Sequence, residues 1–148
     1  MQKKLVHDRC QQLVQQMLAD ADAAIRAAQR AANEETKSSA GDKYETGRAM
    51  MHLEQEKLAS QRSAAQQLLS VLHQINPARV SDKVDLGSLV NTDRGWFYVS
   101  VGLGKIQVEG LSCFSISPAA PLGQALWGRQ AGDQVLLNGN PIRIISIA

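Results

Sequence analysis

The sequence is poor in cysteine, and this scarcity excludes most metal sites and disulfide frameworks that are built from cysteine. Cys10 and Cys113 lie far apart in a chain of 148 residues, and neither belongs to a Cys-x-x-Cys motif. His7 lies three residues before Cys10, but two ligands do not make a metal site. We therefore predict no metal site and no disulfide framework, and we expect a protein of the reducing cytoplasm.

The sequence also lacks a large excess of charge of one sign and lacks long apolar runs. Lysine and arginine number 16, aspartate and glutamate 14, and the net charge is +2. This balance argues against a protein that binds nucleic acid through bulk electrostatics. No apolar run approaches the ~18 residues that span a bilayer, and the N-terminal residues lack the apolar segment of a secretion signal. We expect no contact with membranes and no secretion.

Proline, glycine and aromatic residues are scarce in the first half of the chain and concentrated in the second. All 4 prolines lie at or after Pro77, nine of the 11 glycines follow residue 80, and Tyr44 is the only aromatic residue before residue 95. Hydrophobic residues make up 44% of the sequence, so a folded core is expected in spite of these shortages. Because Pro77 disfavours a helical conformation at the residue before it, we predict two domains, 1–76 and 77–148.

The first half has the pattern of two long amphipathic helices. Residues 3–34 contain neither glycine nor proline. Their predicted apolar stripe runs through Leu5, Leu13, Met17, Ala21, Ala24, Ala28 and Ala31. In residues 43–75 a seven-residue series is formed by Met51, Leu58, Ala65 and Leu72. Each helix would be about 45 Å long, which is more than a small core can cover. The two stripes must bury each other as an antiparallel coiled-coil hairpin, with its tip at residues 36–42.

The second half has the pattern of a small β-rich domain. Aromatic and β-branched residues with partial alternation predict strands within residues 86–92, 95–101 and 104–116. Pro121 suits the first position of a short helix over 121–128. Asn138-Gly139-Asn140 is typical of a tight turn between two final strands. The predicted fold class is therefore α+β, a long helical hairpin followed by a β-rich domain.

Residues 116–133, the signature segment, are specific enough to compare with a known family. They read ISPAAPLGQALWGRQAGD and precede two predicted strands. They resemble the C-terminal signature of the Gre transcript-cleavage factors, I-S-x-x-S-P-(I/L)-(A/G)-x-A-L-(L/I)-G-(K/R)-x-x-G-D. The resemblance is strong after residue 115 and weak before it. It implies an FKBP-like C-terminal domain preceded by an antiparallel coiled coil.

The resemblance also implies a function in transcription. Gre-like factors bind bacterial RNA polymerase through the C-terminal domain and insert the coiled coil into its secondary channel. Two acidic residues at the tip then help to hold the second catalytic Mg²⁺, and the polymerase cleaves backtracked RNA. The implied protein is not an enzyme and has no cofactor of its own, although it can share Mg²⁺ at the polymerase active site. We expect a monomer that contacts nucleic acid only indirectly.

The signature segment supplies the candidate residues for docking on RNA polymerase. By resemblance these are Ser117, Pro118, Pro121, Leu122 and Trp127. Trp127 replaces an aliphatic residue of the family signature. It is expected in the core, and the alternative is an exposed side chain that anchors a partner.

The predicted tip departs from the family pattern, which reads approximately D-L-x-E-N-A-E-Y. With Tyr44 aligned, Lys37 and Ala40 occupy the two acidic positions, and neither binds Mg²⁺. A shifted register brings Asp42 and Glu45 to these positions with the D-x-x-E spacing retained. Acidic residues in the first turn of a helix also stabilise it by capping and through the helix dipole, without any metal.

Other charged residues near the tip leave its role open. Glu34 and Glu35 lie on the opposite side of the turn, where they either face the tip or form a solvated helix end. Lys37, Lys43 and Arg48 suit contacts with RNA phosphates or with carboxylates of the polymerase active site. Cations in this position favour an inhibitor that binds in the channel over a cleavage factor.

The leading hypothesis is a Gre-like elongation regulator that inserts its coiled coil into the secondary channel of RNA polymerase. One alternative is a genuine cleavage-stimulating factor that uses Asp42 and Glu45. Another is a coiled-coil adaptor, unrelated to transcription, that binds other proteins.

Overall fold

The computed structural model describes the backbone of residues 1–38 and 43–148 and the side chains of residues 1–34 and 46–148. Within these residues, two long helices precede a β-rich part that contains a short third helix. The helices are α1 (Lys3–Ser38), α2 (Lys43–Gln74) and α3 (Pro121–Leu126). The strands are β1 (Leu89–Thr92), β2 (Gly95–Val99), β3 (Gly104–Val108), β4 (Leu111–Ile116), β5 (Gln134–Leu137) and β6 (Asn140–Ile147). This is the predicted α+β fold, and each strand lies where the pattern predicted one.

The buried face of α1 differs from the stripe predicted for it. Leu5 and Leu13 are only half-buried, and Met17 is 44% exposed. The buried positions near the start are instead Val6, Cys10 and Val14, whereas Ala21 is buried as predicted. The prediction for the start of α1 was therefore wrong in its phase. Steps of four residues follow one ridge of a helix, and the small or β-branched side chains on this ridge permit close packing.

The seven-residue series predicted for α2 is confirmed over most of its length. Leu58, Ala65 and Leu72 are 8%, 1% and 0% exposed, while Met51 is half-buried. The inner face of α2 is therefore set by heptad spacing.

The two long helices run antiparallel, as the hairpin prediction requires. Asp22 of α1 forms an ion pair with Arg62 of α2. His7, near the start of α1, lies within reach of the charge of His73, near the end of α2. Positions closer to the C-terminus of α1 therefore lie beside positions closer to the N-terminus of α2. Of the predicted tip, residues 39–42 lie outside the described residues. No helix in the described ranges is long and apolar enough to cross a bilayer.

Contacts group the chain into two compact units that do not coincide with the two halves of the sequence. One unit is Leu13–Leu69, which contains most of α1 and α2. The other combines Met1–Gln12 with Ser70–Ala148, so the first turns of α1 belong with the sheet. The division into 1–76 and 77–148 follows secondary structure and stays a prediction.

The strands form one mixed sheet in the order β3-β4-β2-β1-β6-β5. Strands β2 and β4 are parallel, and the other neighbours are antiparallel. Before β6 the chain turns at Asn138 and Gly139, whose φ angles of 53° and 78° are those of the predicted hairpin turn. The core lies between α3 and one face of the sheet. It consists of Val84, Val90, Phe97, Val99, Leu126, Val135, Ile142 and Ile144.

The opposite face of the sheet meets the start of α1 within the same unit. Side chains alternate between faces along a strand, so Tyr98 and Ser115 point away from the α3 core. His7 and Cys10 of α1 contact them from the other side. This face therefore buries polar side chains, whereas the α3 face is apolar.

Candidate functional site

The signature segment runs from the end of β4, through a turn and α3, to the start of β5. Pro121 occupies the first turn of α3, where its missing N–H costs no hydrogen bond. The turn is held by two bonds from Gln124: its backbone N–H donates to the Ala120 carbonyl at 2.8 Å, and its Nε2 donates to the Ala119 carbonyl at 2.8 Å. Local hydrogen bonds therefore join the turn of the signature segment to α3.

Gly123 permits the close approach of α3 to the turn before it. A Cβ atom at this position would lie 2.1 Å from the Ser117 carbonyl oxygen and 3.0 Å from the Pro118 Cα atom. Both contacts are with backbone, which cannot rotate away as a side chain does. The residue at 123 therefore fixes how closely the exposed turn is held against the helix.

The five predicted docking residues divide into a buried and an exposed group. Leu122 is half-buried and packs against the core, and Ser117 and Pro118 are also half-buried. The Ser117 Oγ atom accepts a hydrogen bond from the Ala119 N–H at 3.1 Å, so it stabilises the turn. Pro121 is exposed, and Trp127 retains 47% of its accessible surface. Of the two expectations for Trp127, exposure rather than burial is the one observed.

Two cations that the sequence prediction did not single out lie in the same stretch as Trp127. The Gly128 N–H donates to the Val84 carbonyl at 2.8 Å, and the Val84 N–H donates to the Arg129 carbonyl at 2.9 Å. An isolated bridge also joins Lys83 to residue 130. Lys83 and Arg129 are both exposed. We call the exposed residues Pro121, Trp127, Arg129 and Lys83, which lie in these two adjoining stretches of backbone, the Trp127 surface. The signature had already marked Pro121 and Trp127, its basic position is the one signal for Arg129, and no sequence signal marked Lys83.

Most of the predicted tip residues lie outside the described side chains. These are Glu35, Lys37, Asp42, Lys43 and Glu45. Glu34 and Arg48 are described, and both are exposed near the ends of the described parts of α1 and α2. The roles predicted for the tip residues therefore stay predictions.

A buried polar network lies between α1 and the sheet. The His7 Nδ1 atom is 2.7 Å from the Tyr98 hydroxyl, and the Ser115 Oγ atom is 3.7 Å from Cys10 Sγ and 3.2 Å from Ser100 Oγ. All five side chains are at most 3% exposed. In the described ranges no three His, Cys, Asp or Glu side chains are grouped as metal ligands. His7 and Cys10, adjacent on one helix face, are here joined to the sheet by hydrogen bonds.

The two cysteines are poor nucleophiles in this environment. Burial raises the pKa of the Cys113 thiol to about 12. Burial also raises the pKa of the Cys10 thiol, against the opposing effect of its hydrogen bond with Ser115. Because the thiolate is the reactive form, neither residue is suited to covalent chemistry near neutral pH.

We predict that the free energy of unfolding falls as the pH drops below about 6.5, because of His7. Burial lowers the pKa of His7 from 6.5; His73 and Lys3 lower it further, and Asp8 opposes them. Above 6.5 the imidazole is neutral in the folded and unfolded chain, so its contribution is complete. Below 6.5 the unfolded chain takes up the proton first, and stability is lost. Urea denaturation between about pH 7.5 and 5 measures the slope.

His52 provides a matched control for this pH dependence, since its side chain is 72% exposed. The slope should flatten in His7→Gln and persist in His52→Gln. An unchanged slope in His7→Gln would assign the acid sensitivity to other groups.

Comparison with protein-family models finds no match, and comparison with characterised proteins finds none either. Among solved structures, one of the transcription factor Gfh1 matches 94% of this chain and 93% of its own, with 21% identity and a TM-score of 0.39. A structure of GreA factor homolog 1 (Gfh1) of Thermus thermophilus matches 93% of this chain and 94% of its own, with 17% identity and a TM-score of 0.35. Over more than nine-tenths of its length, this chain is similar to a transcription factor named as a homologue of GreA.

Proposed function

We propose that this chain is a Gre-like regulator of transcription elongation, which docks on RNA polymerase through its β-rich part and inserts its helical hairpin into the secondary channel. The observation that carries the proposal is the division of the signature segment. Leu126 is buried and Leu122 packs against the core, whereas Pro121, Trp127 and Arg129 are exposed and belong to the Trp127 surface. Exposed aromatic anchors beside cations are typical of protein interfaces.

The helical pair supports the proposal through its length. Helix α1 has 36 residues and α2 has 32. At a rise of ~1.5 Å per residue, each helix is about 50 Å long. A pair of helices of this length suits entry into a channel, because each helix is far longer than a small core can cover.

The tip decides what the inserted hairpin would do. In the register anchored on Tyr44, Lys37 and Ala40 stand where the family has its Mg²⁺-directed acids. A lysine near the catalytic metals would compete with Mg²⁺ for carboxylate oxygens instead of supplying ligands. We therefore propose that the protein slows elongation and does not stimulate cleavage. Any Mg²⁺ involved would belong to the polymerase.

Binding to core RNA polymerase is the first test of the proposal. We expect the purified protein to comigrate with the polymerase in size-exclusion chromatography at micromolar concentration. Absence of a complex under these conditions would refute both transcription hypotheses. It would leave the coiled-coil adaptor as the alternative.

Stalled, backtracked transcription complexes separate the regulator from a cleavage factor. We expect slower elongation and no shortening of the nascent RNA. Shortening that is lost in Asp42→Ala/Glu45→Ala would establish the cleavage factor instead. Glu54→Ala/Glu56→Ala is the matched control, because it removes two exposed acids of α2 outside the tip. Shortening that survives Asp42→Ala/Glu45→Ala would exclude that pair as the metal-directed residues.

A further inference from the structure

A small cavity with polar and apolar lining residues lies where the end of α2 leads into the segment before β1, beside the first residue of α1. Its volume is about 150 Å³. Its wall includes the side chains of Lys3, Gln74, Asn76, Arg79 and Asp85. At about 30 Å³ per water, it holds roughly five water molecules. This volume suits a compact ion and is too small for a nucleotide or a drug-sized ligand.

Two positively charged side chains, Lys3 and Arg79, line this cavity, and each retains N–H donors that can bind a ligand. The Lys3 Nζ atom donates to the Arg79 carbonyl at 2.6 Å. An ammonium has three N–H donors, and this bond uses one. The Arg79 Nη2 atom lies 3.0 Å from the Asp85 Oδ2 atom. A guanidinium has five N–H donors, so Arg79 can bind a second oxyanion without releasing Asp85.

Asp85 balances only one of the two positive charges. Its Oδ1 atom accepts a hydrogen bond from the Ser88 hydroxyl at 3.1 Å, and its Oδ2 atom faces Arg79. The carboxylate is therefore held in place by partners on both oxygens. Lys3, Arg79 and Asp85 together leave one net positive charge on the cavity wall. An anion, and not a metal cation, is the complementary ligand.

Three further features favour a negative ligand. Helix α1 begins at Lys3 and has no acidic residue in its first turn, so the positive end of its dipole is not offset there. The Asn76 Oδ1 atom accepts the Ala78 N–H at 3.0 Å, which leaves the NH₂ group of that amide as a donor. Burial lowers the pKa of Lys3; Asp85 opposes this effect and Arg79 adds to it. A bound anion would offset the cost of desolvating Lys3 and its repulsion by Arg79 through favourable charge–charge interactions.

We propose that this cavity binds a small oxyanion, inorganic phosphate or a compact carboxylate, through Lys3 and Arg79 with the amides of Gln74 and Asn76 as supporting donors. The site is independent of the proposed function, since it involves neither the tip nor the Trp127 surface. It joins residues that are 76 positions apart in sequence, so a bound ion stabilises the packing of the start of α1 on the segment before β1.

Titration of the full chain with sodium phosphate, at constant ionic strength set with sodium chloride, tests the site. We expect saturable shifts of the Leu86 and Gly87 amide resonances and a rise in the melting temperature, both in the millimolar range. Lys3→Gln and Arg79→Gln should each weaken binding about tenfold, because each removes a charged hydrogen bond. Lys57→Gln makes the same charge change on an exposed part of α2 and should bind as wild type does.

For Asp85→Asn we expect the opposite effect on the affinity for phosphate. It removes the competing negative charge and keeps an oxygen for Ser88, so phosphate should bind about threefold more tightly. Titration with sodium acetate distinguishes a carboxylate site from a phosphate site, and saturation by either ligand supports the proposal. If phosphate raises the melting temperature equally in wild type, Lys3→Gln and Arg79→Gln, the effect is a general salt effect, with an adventitious ion only. That result would overturn the proposal. No saturable shift with either anion would overturn it as well.

Discussion

Replacing Gly123 with alanine is expected to destabilise the unit that contains the sheet by about 3 kcal/mol. The new methyl group would lie 2.1 Å from the Ser117 carbonyl oxygen, well inside van der Waals contact. Because this neighbour is backbone, relief requires α3 to move away from the turn or the turn to open. Either movement disturbs Leu126, which is fully buried in the core. Urea denaturation followed by tryptophan fluorescence measures the loss.

Gly102→Ala is the matched control for this prediction. A Cβ atom there has its nearest neighbour, the Ser117 Cβ atom, at 4.0 Å. We expect a change within about 0.5 kcal/mol of wild type. The Gre signature accepts alanine at the position of Gly123. A Gly123→Ala protein as stable as Gly102→Ala would therefore mean that the turn adapts easily and that its rigidity does not define the docking surface.

Replacing Trp127 with alanine is expected to weaken binding to core RNA polymerase about 30-fold, which corresponds to about 2 kcal/mol. Trp127 combines a large apolar surface, 47% of it exposed, with a backbone N–H that is already bound to the Gly123 carbonyl at 3.0 Å. A partner can therefore bury the ring without breaking a bond of α3. Fluorescence anisotropy of a labelled protein titrated with polymerase measures the affinity.

Leu136→Ala separates a specific contact from a general loss of apolar surface. Leu136 is 66% exposed on β5 and lies outside the signature segment. We expect its replacement to leave the affinity unchanged. If Trp127→Ala binds as tightly as Leu136→Ala, the Trp127 surface is not the docking site. A denaturation curve for each variant checks that the fold is retained.

Much of the architecture could be predicted because it depends on local pattern. Glycine and proline are absent from residues 3–34, and a heptad series runs along α2, so two long helices were the expected result. Alternation and turn residues located the strands, and the Asn138-Gly139 turn has the predicted conformation. The error lay in the phase of α1. Its predicted stripe began at Leu5 and Leu13, whereas the buried residues there are Val6, Cys10 and Val14.

The candidate sites were less predictable, because they depend on residues distant in sequence. The signature segment identified Trp127, but its exposure follows from how α3 packs on the core. The bond between His7 and Tyr98 joins residues 91 positions apart, and composition carries no sign of it. The same holds for the cavity between Lys3 and Arg79. In the sequence, Lys3 and Arg79 cannot be distinguished from the other lysines and arginines that are expected at the surface.

The sequence by itself determined the order of the parts: two helices too long to stand alone, then strands separated by prolines and glycines. Periodicity is a local property of the sequence, and burial of an apolar stripe is the largest favourable term in the free energy of folding. These features therefore do not depend on the details of packing. Only the tertiary structure decided which residues of the signature segment face solvent and which polar groups share a cavity. Hydrogen bonds and charges act over a few ångströms, and only the folded chain sets those distances.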